Sequence, residues 1–82
     1  MKEEHTESSI FGKRIFELRK ERDWSQPELG RMIDTSGAII GRYERGDMGP
    51  SIGVARKLAE VFGVTLDYLI SDAETPDTLK DR

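Results

Sequence analysis

Few side chains in this 82-residue sequence are of a type and spacing that make or break covalent bonds. There is no Cys, and the single His, His5, has no companion at ligand spacing, so a thiolate or imidazole metal site has no material. Gly-rich phosphate loops, paired carboxylates on a pocket and nucleophile–base sets are equally missing from the pattern. The informative residues are donors. Arg42 carries a planar guanidinium that can give two parallel hydrogen bonds to a pair of acceptors. Gln26 opens a short helical segment, where free backbone N–H groups and the helix dipole favour an anion. The chemistry on offer is recognition, and no enzyme, cofactor or metal is expected.

Positioning those donors falls to helices. Phe11, Ile15, Leu18 and Arg22 recur at i, i+4, i+7 and i+11, which places three apolar residues on one stripe of a helix that starts after Ser8 or Ser9 and breaks at Asp23. Ser25-Gln26-Pro27-Glu28 reads as a capping box with Pro in the first turn. The helix behind it runs for about two turns, with Leu29, Met32 and Ile33 as its apolar positions, to a turn at Asp34-Thr35. Ser36 caps a third helix that turns Ile40 and Tyr43 inward and stops at Gly46. Ser51 caps a fourth, with Val54, Ala55, Leu58, Ala59 and Phe62 on one face and Gly63 as its end, and Thr65 caps a last one through Ile70. No stretch alternates long enough to be a strand. The fold class is all-α, a compact domain of five short helices over residues 9–71, flanked by a disordered tail at 1–8 and an acidic tail at 72–82.

Length and charge narrow the class further. A chain of this size buries only about 60% of its unfolded surface, which leaves no room for a second domain or a deep cleft. The absence of Cys suits a reducing cytosol, the apolar runs are far shorter than the ~20 residues a membrane helix needs, and the polar N-terminus is unlike a signal peptide. A cytoplasmic location is expected. The net charge of −3 is unevenly spread. Residues 11–57 hold ten Lys and Arg against seven acids, whereas residues 58–82 hold two against six. A basic centre between acidic ends allows a polyanion on one face.

Two short helices joined by about three residues form a helix-turn-helix layout, in which the second helix enters the DNA major groove while the first crosses the backbone. The blocks Gly12-x-x-Ile15-x-x-Leu18-Arg19, Trp24-Ser25-Gln26-x-x-Leu29, Ile40-x-x-Tyr43-Glu44-Arg45-Gly46, Pro50-Ser51 and Leu58-Ala59 resemble, in order and spacing, the phage repressor and Cro (Xre-like) family of transcriptional regulators. The resemblance covers roughly Phe11 to Ile70. It implies that Gln26 grips a DNA phosphate, that Gly37, Ala38 and Arg42 stand at base-edge positions, and that Ser36, Ile39 and Arg45 lie near the DNA backbone. Residue chemistry supports part of this: Arg42 suits guanine O6 and N7, and Ala38 or Ile39 can meet a thymine methyl. Gly37 has no side chain to read with, so readout leans on Arg42, apolar contact and DNA deformability. Gly41 costs ~1 kcal/mol inside a helix, which close approach to DNA or to a neighbouring helix would explain; both stay open.

The same resemblance implies a buried ion pair between Arg19 and Glu44, and two-fold pairing of the domain near Leu66, Tyr68 and Ile70. The last helix is independently too apolar for one face, and an exposed apolar patch usually seeks a partner. Trp24 and Tyr43 read as core in preference to stacking platforms for single strands, and Lys13, Arg14, Lys20 and Arg31 as a solvated, mildly electrostatic face. Asp34 stands where the family usually has Gly, a substitution that Asp tolerates in left-handed geometry. Thr75-Pro76-Asp77 resembles a helix start without room for a helix. The expected function is sequence-specific binding of double-stranded DNA as a homodimer on a palindromic operator, with repression by occlusion. The competing reading is an antitoxin-type module whose apolar surface and acidic tail bind a partner protein, a toxin.

Overall fold

A computed structural model describes residues 7–71; the expectations placed on His5, on most of the N-terminal tail and on the acidic tail fall outside the described residues. Five helices follow one another: α1 (Glu7–Glu21), α2 (Gln26–Met32), α3 (Gly37–Arg45), α4 (Ile52–Phe62) and α5 (Leu66–Ile70). Among the described residues there is no strand, and no helix is long and apolar enough to cross a membrane. α1 begins two residues earlier than the sequence suggests. Ser8 and Ser9 lie within it instead of ahead of it, because both are tolerated inside a first turn as well as before it.

The other four helices start where the sequence places them, each on a hydroxyl. Ser25, Ser36, Ser51 and Thr65 accept from the backbone N–H three residues on, at 3.1, 3.2, 3.1 and 3.0 Å. At α2 the capping box is complete, since the Ser25 N–H donates to Glu28 Oε1 at 2.8 Å. That N–H, aided by the Ser25 hydroxyl, holds the Glu28 carboxyl below its ordinary 4.5. Its support of the helix start is therefore present above that value and lost as the pH falls through the lowered one. Helix stops are equally local. Gly46 and Gly63 take left-handed φ values of 79° and 72°, and Asp23 and Asp34 do the same at 58° and 64°. Asp34 thus occupies the geometry in which glycine would be usual.

The five helices bury one core. Phe11, Ile15 and Leu18 of α1 meet Leu29 and Ile33, Ile40 and Tyr43 of α3, Ala55, Leu58, Ala59 and Phe62 of α4, and Leu69 of α5. Met32 is not among them: it is 44% exposed, because a two-turn helix anchored by Leu29 and Ile33 leaves the remaining apolar position outside. α3 packs on α2 and α1, while α5 packs on α1 and α4. Tyr43 meets Phe11 edge to face at 5.5 Å, and Trp24 stacks on Phe62 at 5.7 Å. Both aromatics serve the core, with neither displayed as a platform.

Two arginines close the seams between helices. Arg22 donates to the Phe62 carbonyl at 2.8 Å, meeting the C-terminal end of α4. Arg14, expected on a solvated face, instead donates from Nε to the Tyr68 carbonyl at 2.8 Å and lies 4.4 Å above the Tyr68 ring. Its long stem packs across α1 toward α5 while its head finds carbonyls that α5 itself leaves unbonded.

Trp24 is the sole tryptophan of the chain, so its fluorescence reports directly on the Phe62 stack. Truncating Phe62→Ala removes a buried ring and is expected to cost about 3–5 kcal/mol. Chemical denaturation followed both by Trp24 emission and by helical circular dichroism checks this, with the two signals expected to move together in the wild type.

Candidate nucleic-acid interface

The nine residues of α3 divide into three faces at 100° per residue. Ile40 and Tyr43 are buried in the core, with the half-buried Ile39 beside them. Gly37, Gly41 and Glu44 share a second face, turned toward the N-terminus of α2. A β-carbon on Gly37 would lie 2.9 Å from Pro27 N and 3.0 Å from its Cγ, so the two helices meet there backbone to ring. The third face is Ala38, Arg42 and Arg45, all exposed, at i, i+4 and i+7. Ser36, also exposed, caps the helix at the same end as Ala38.

Behind this free stripe lies a polar network that fixes how α1, α2 and α3 meet. Arg19 and Glu44 pair through two hydrogen bonds, Nε to Oε2 at 2.7 Å and Nη2 to Oε1 at 2.9 Å, with side chains only 9% and 7% exposed. Arg19 Nη1 donates to the Trp24 carbonyl at 2.8 Å, just before α2 begins. Gln26 Nε2 donates to Glu44 Oε1 at 3.0 Å. An ionised carboxylate only accepts, so Glu44 dictates which end of the Gln26 amide it meets. The half-buried Gln26 is thereby held at the α2 N-terminus, between that helix and the Gly41 position of α3.

Gly41 is buried, and the nearest atoms to a β-carbon there belong to the side chains of Arg45 and Gln26. A neighbouring helix, through Gln26, therefore occupies the space that a larger residue would take. The cations of the interface differ in their pairing. Arg45 Nε donates to Asp47 Oδ2 at 3.0 Å, a partner that sequence reasoning missed and that only the tight Gly46 turn brings into reach. Arg42 is exposed and, among the described residues, forms no ion pair with a carboxylate. It is the cation of α3 left available to an external acceptor.

The proposed pairing residues Leu66, Tyr68 and Ile70 are all half-buried. Leu66 and Ile70, together with Phe11, Pro50, Ile52 and Ala55, line an open depression of about 260 Å³. Ile52 is 65% exposed and extends this apolar surface, which the sequence alone had not indicated because Ile52 sits in the first turn of an amphipathic helix. Tyr68 differs from its neighbours, since its ring is partly covered by Arg14. Among the described residues no group of three or more His, Cys, Asp or Glu is arranged to hold a metal ion.

Comparison with known proteins places this geometry. A family model described as helix-turn-helix matches residues 15–69. The chain is 36% identical over 66 residues to the cryptic phage CTXphi transcriptional repressor RstR of Vibrio cholerae, covering 80% of this chain and 60% of that protein. It is 30% identical over 66 residues to the transcriptional regulator PuuR of Escherichia coli (strain K12), of which it spans 36%. Among solved structures, the P22 c2 repressor in complex with synthetic operator 9T superposes with a TM-score of 0.74 at 28% identity, over 78% of this chain and 97% of that one. A LexA repressor from Eubacterium rectale shares the fold, with a TM-score of 0.77 at 22% identity over 83% of this chain and 72% of that one.

Removing Glu44 leaves the Arg19 guanidinium buried with one of these three hydrogen bonds, the one to the Trp24 carbonyl. Glu44→Ala is therefore expected to cost about 3–5 kcal/mol, loosening the whole domain instead of a single contact. Thermal unfolding checks this; a melting temperature equal to wild type contradicts it.

Proposed function

The chain belongs to the helix-turn-helix family, and from that premise we propose that it is a sequence-specific double-stranded DNA-binding transcriptional regulator acting as a repressor. The observation that carries the reading is the free stripe of α3. Two faces of that helix are committed to the core and to α2, while Ala38, Arg42 and Arg45 face outward on a rigid support. A single exposed helix face of that width fits the major groove.

Roles follow from chemistry and position. Arg42 donates to guanine O6 and N7, and Ala38 meets an adjacent thymine methyl. Gln26, Ser36, Ile39 and Arg45 lie along the phosphates. Gly37, turned toward Pro27, contributes its backbone alone at the α3 N-terminus. The P22 c2 repressor is itself seen on a synthetic operator, and RstR is named as a repressor; both favour DNA over a partner protein as the ligand. Because the chain spans 60% of RstR and 36% of PuuR, any effector response of those proteins is outside this reading. The site of action is the cytoplasm, where a bacterial or phage operator resides.

Pairing completes the reading. Leu66 and Ile70, with Ile52 beside them, offer an apolar surface to a second copy, and Tyr68 contributes at its edge. A two-fold pair sets its recognition helices about one DNA turn apart, ~34 Å, which demands a palindromic site. Repression then follows from occupying the operator.

Selection of duplexes from a random pool is expected to return a palindrome, bound with an affinity that falls steeply with salt. On the selected site Arg42→Ala should relax base preference by about 1–3 kcal/mol at one position of each half-site; unchanged preference removes Arg42 from base readout. Sedimentation at micromolar concentration should give a species of two chains, and a single 9.3 kDa species rules out the dimer in solution.

A further inference from the structure

Gly41 is a liability to α3 on its own terms. It lies in the helix interior, where glycine is less favourable than alanine, and its backbone is not in the left-handed region that would require glycine. A β-carbon there would sit 3.3 Å from Arg45 Nη1, 3.3 Å from Gln26 Nε2 and 3.5 Å from Gln26 Oε1. The space is bounded by the tips of two donor side chains, with no backbone or core atom among those nearest contacts. Each of the two side chains also donates to a carboxylate: Gln26 Nε2 to Glu44 at 3.0 Å, and Arg45, through Nε, to Asp47 at 3.0 Å. The two nitrogens flank one point, so they stand no farther apart than twice their distance from it.

We propose that Gly41 is a positioning residue for phosphate recognition. Its bare α-carbon lets the Gln26 amide and the Arg45 guanidinium converge on one phosphate of the DNA backbone. The inference rests on the reading of α3 as the groove-bound helix and adds to it what the glycine is for. Convergent donors held in advance lose little freedom on binding, and a charged acceptor shared between two of them is held in one orientation. A methyl at position 41 would contact both tips and push them apart by a few tenths of an ångström. Both can yield, since they are the far ends of flexible side chains and Arg45 is largely exposed. The fold therefore tolerates the change while the convergence does not.

The test is Gly41→Ala in the full chain, with its thermal midpoint and its binding to the selected duplex and to an unrelated duplex measured over a range of salt. The expected result is a midpoint equal to or above wild type. Affinity should fall about tenfold on both duplexes alike, with base preference unchanged and the salt dependence shallower by about one phosphate contact. In a background already carrying Gln26→Ala and Arg45→Ala, adding Gly41→Ala should cost nothing more. Wild-type affinity in Gly41→Ala overturns the proposal, as does a loss confined to one base position, a further loss in the double background, or a lowered midpoint that makes the glycine structural. If the wild-type chain binds no duplex at all, the DNA reading itself falls and takes this proposal with it.

Discussion

The contact between Arg19 and Glu44 is the constraint around which the rest of the molecule is arranged. Two unit charges are taken out of water there, and such a pair repays its desolvation only when every remaining donor and lone pair is used. On the arginine side all three nitrogens donate: two bonds go to Glu44 and one to the Trp24 carbonyl. The partners come from three places, the end of α1, the end of α3 and the residue before the α2 cap. The pair therefore contributes less to net stability than to register, since only one arrangement of the three segments satisfies it. Its remaining acceptor capacity goes to Gln26, which converts an internal constraint into the orientation of a surface group.

From that constraint follows the division of α3. A helix of nine residues cannot bury a broad face, make a close helix contact and keep a free stripe unless its residue sizes are sorted around the axis. The sorting is visible. Ile40 and Tyr43 are large and inward, Gly37 and Gly41 are minimal toward α2, and Ala38, Arg42 and Arg45 face out. Two glycines in one short helix would weaken it in isolation. The hydroxyl cap at Ser36 and the left-handed stop at Gly46 offset part of that cost, and tertiary packing on α1 and α2 supplies the rest. Loss of intrinsic helix propensity is accepted at Gly37, where the close approach of Pro27 of α2 demands it.

The sequence made legible whatever is decided within a turn or two of chain. The caps at Ser25, Ser36, Ser51 and Thr65 and the stops at Gly46 and Gly63 are chemistry between near neighbours, so residue type and spacing sufficed. Periodicity likewise found the core, with Met32 as its error: a short helix offers too few turns for spacing to separate the edge of a face from its centre. What stayed hidden is decided across the fold. Arg14 reads as a surface charge until α5 is seen to end beneath it, fifty-four residues further on. Asp47 as the partner of Arg45, Ile52 as part of an apolar surface and Gln26 as the neighbour of Gly41 depend on where helices and turns come to lie. For the candidate interface, the residue types of the free stripe were readable from position in α3, but the state of each charge was not.

That last point bears on how an acidic chain can address a polyanion. A net charge of −3 gives no general attraction to DNA, and several cations of the basic centre are already engaged by carboxylates. Arg19 is neutralised inside by Glu44, Arg45 is held by Asp47, and Lys57 lies 3.8 Å from Asp34. A diffuse field of free lysines would favour any duplex through counterion release alone. Here the exposed acids reduce that sequence-independent attraction, while the same carboxylates fix donors in defined places. Arg42, unpaired with any acid among the described residues, keeps its full charge where base edges would meet it. On the proposed reading, such an arrangement would give up affinity for arbitrary sequence and keep it for a duplex whose acceptors match in position, which is the condition for discrimination among a vast excess of competing sites.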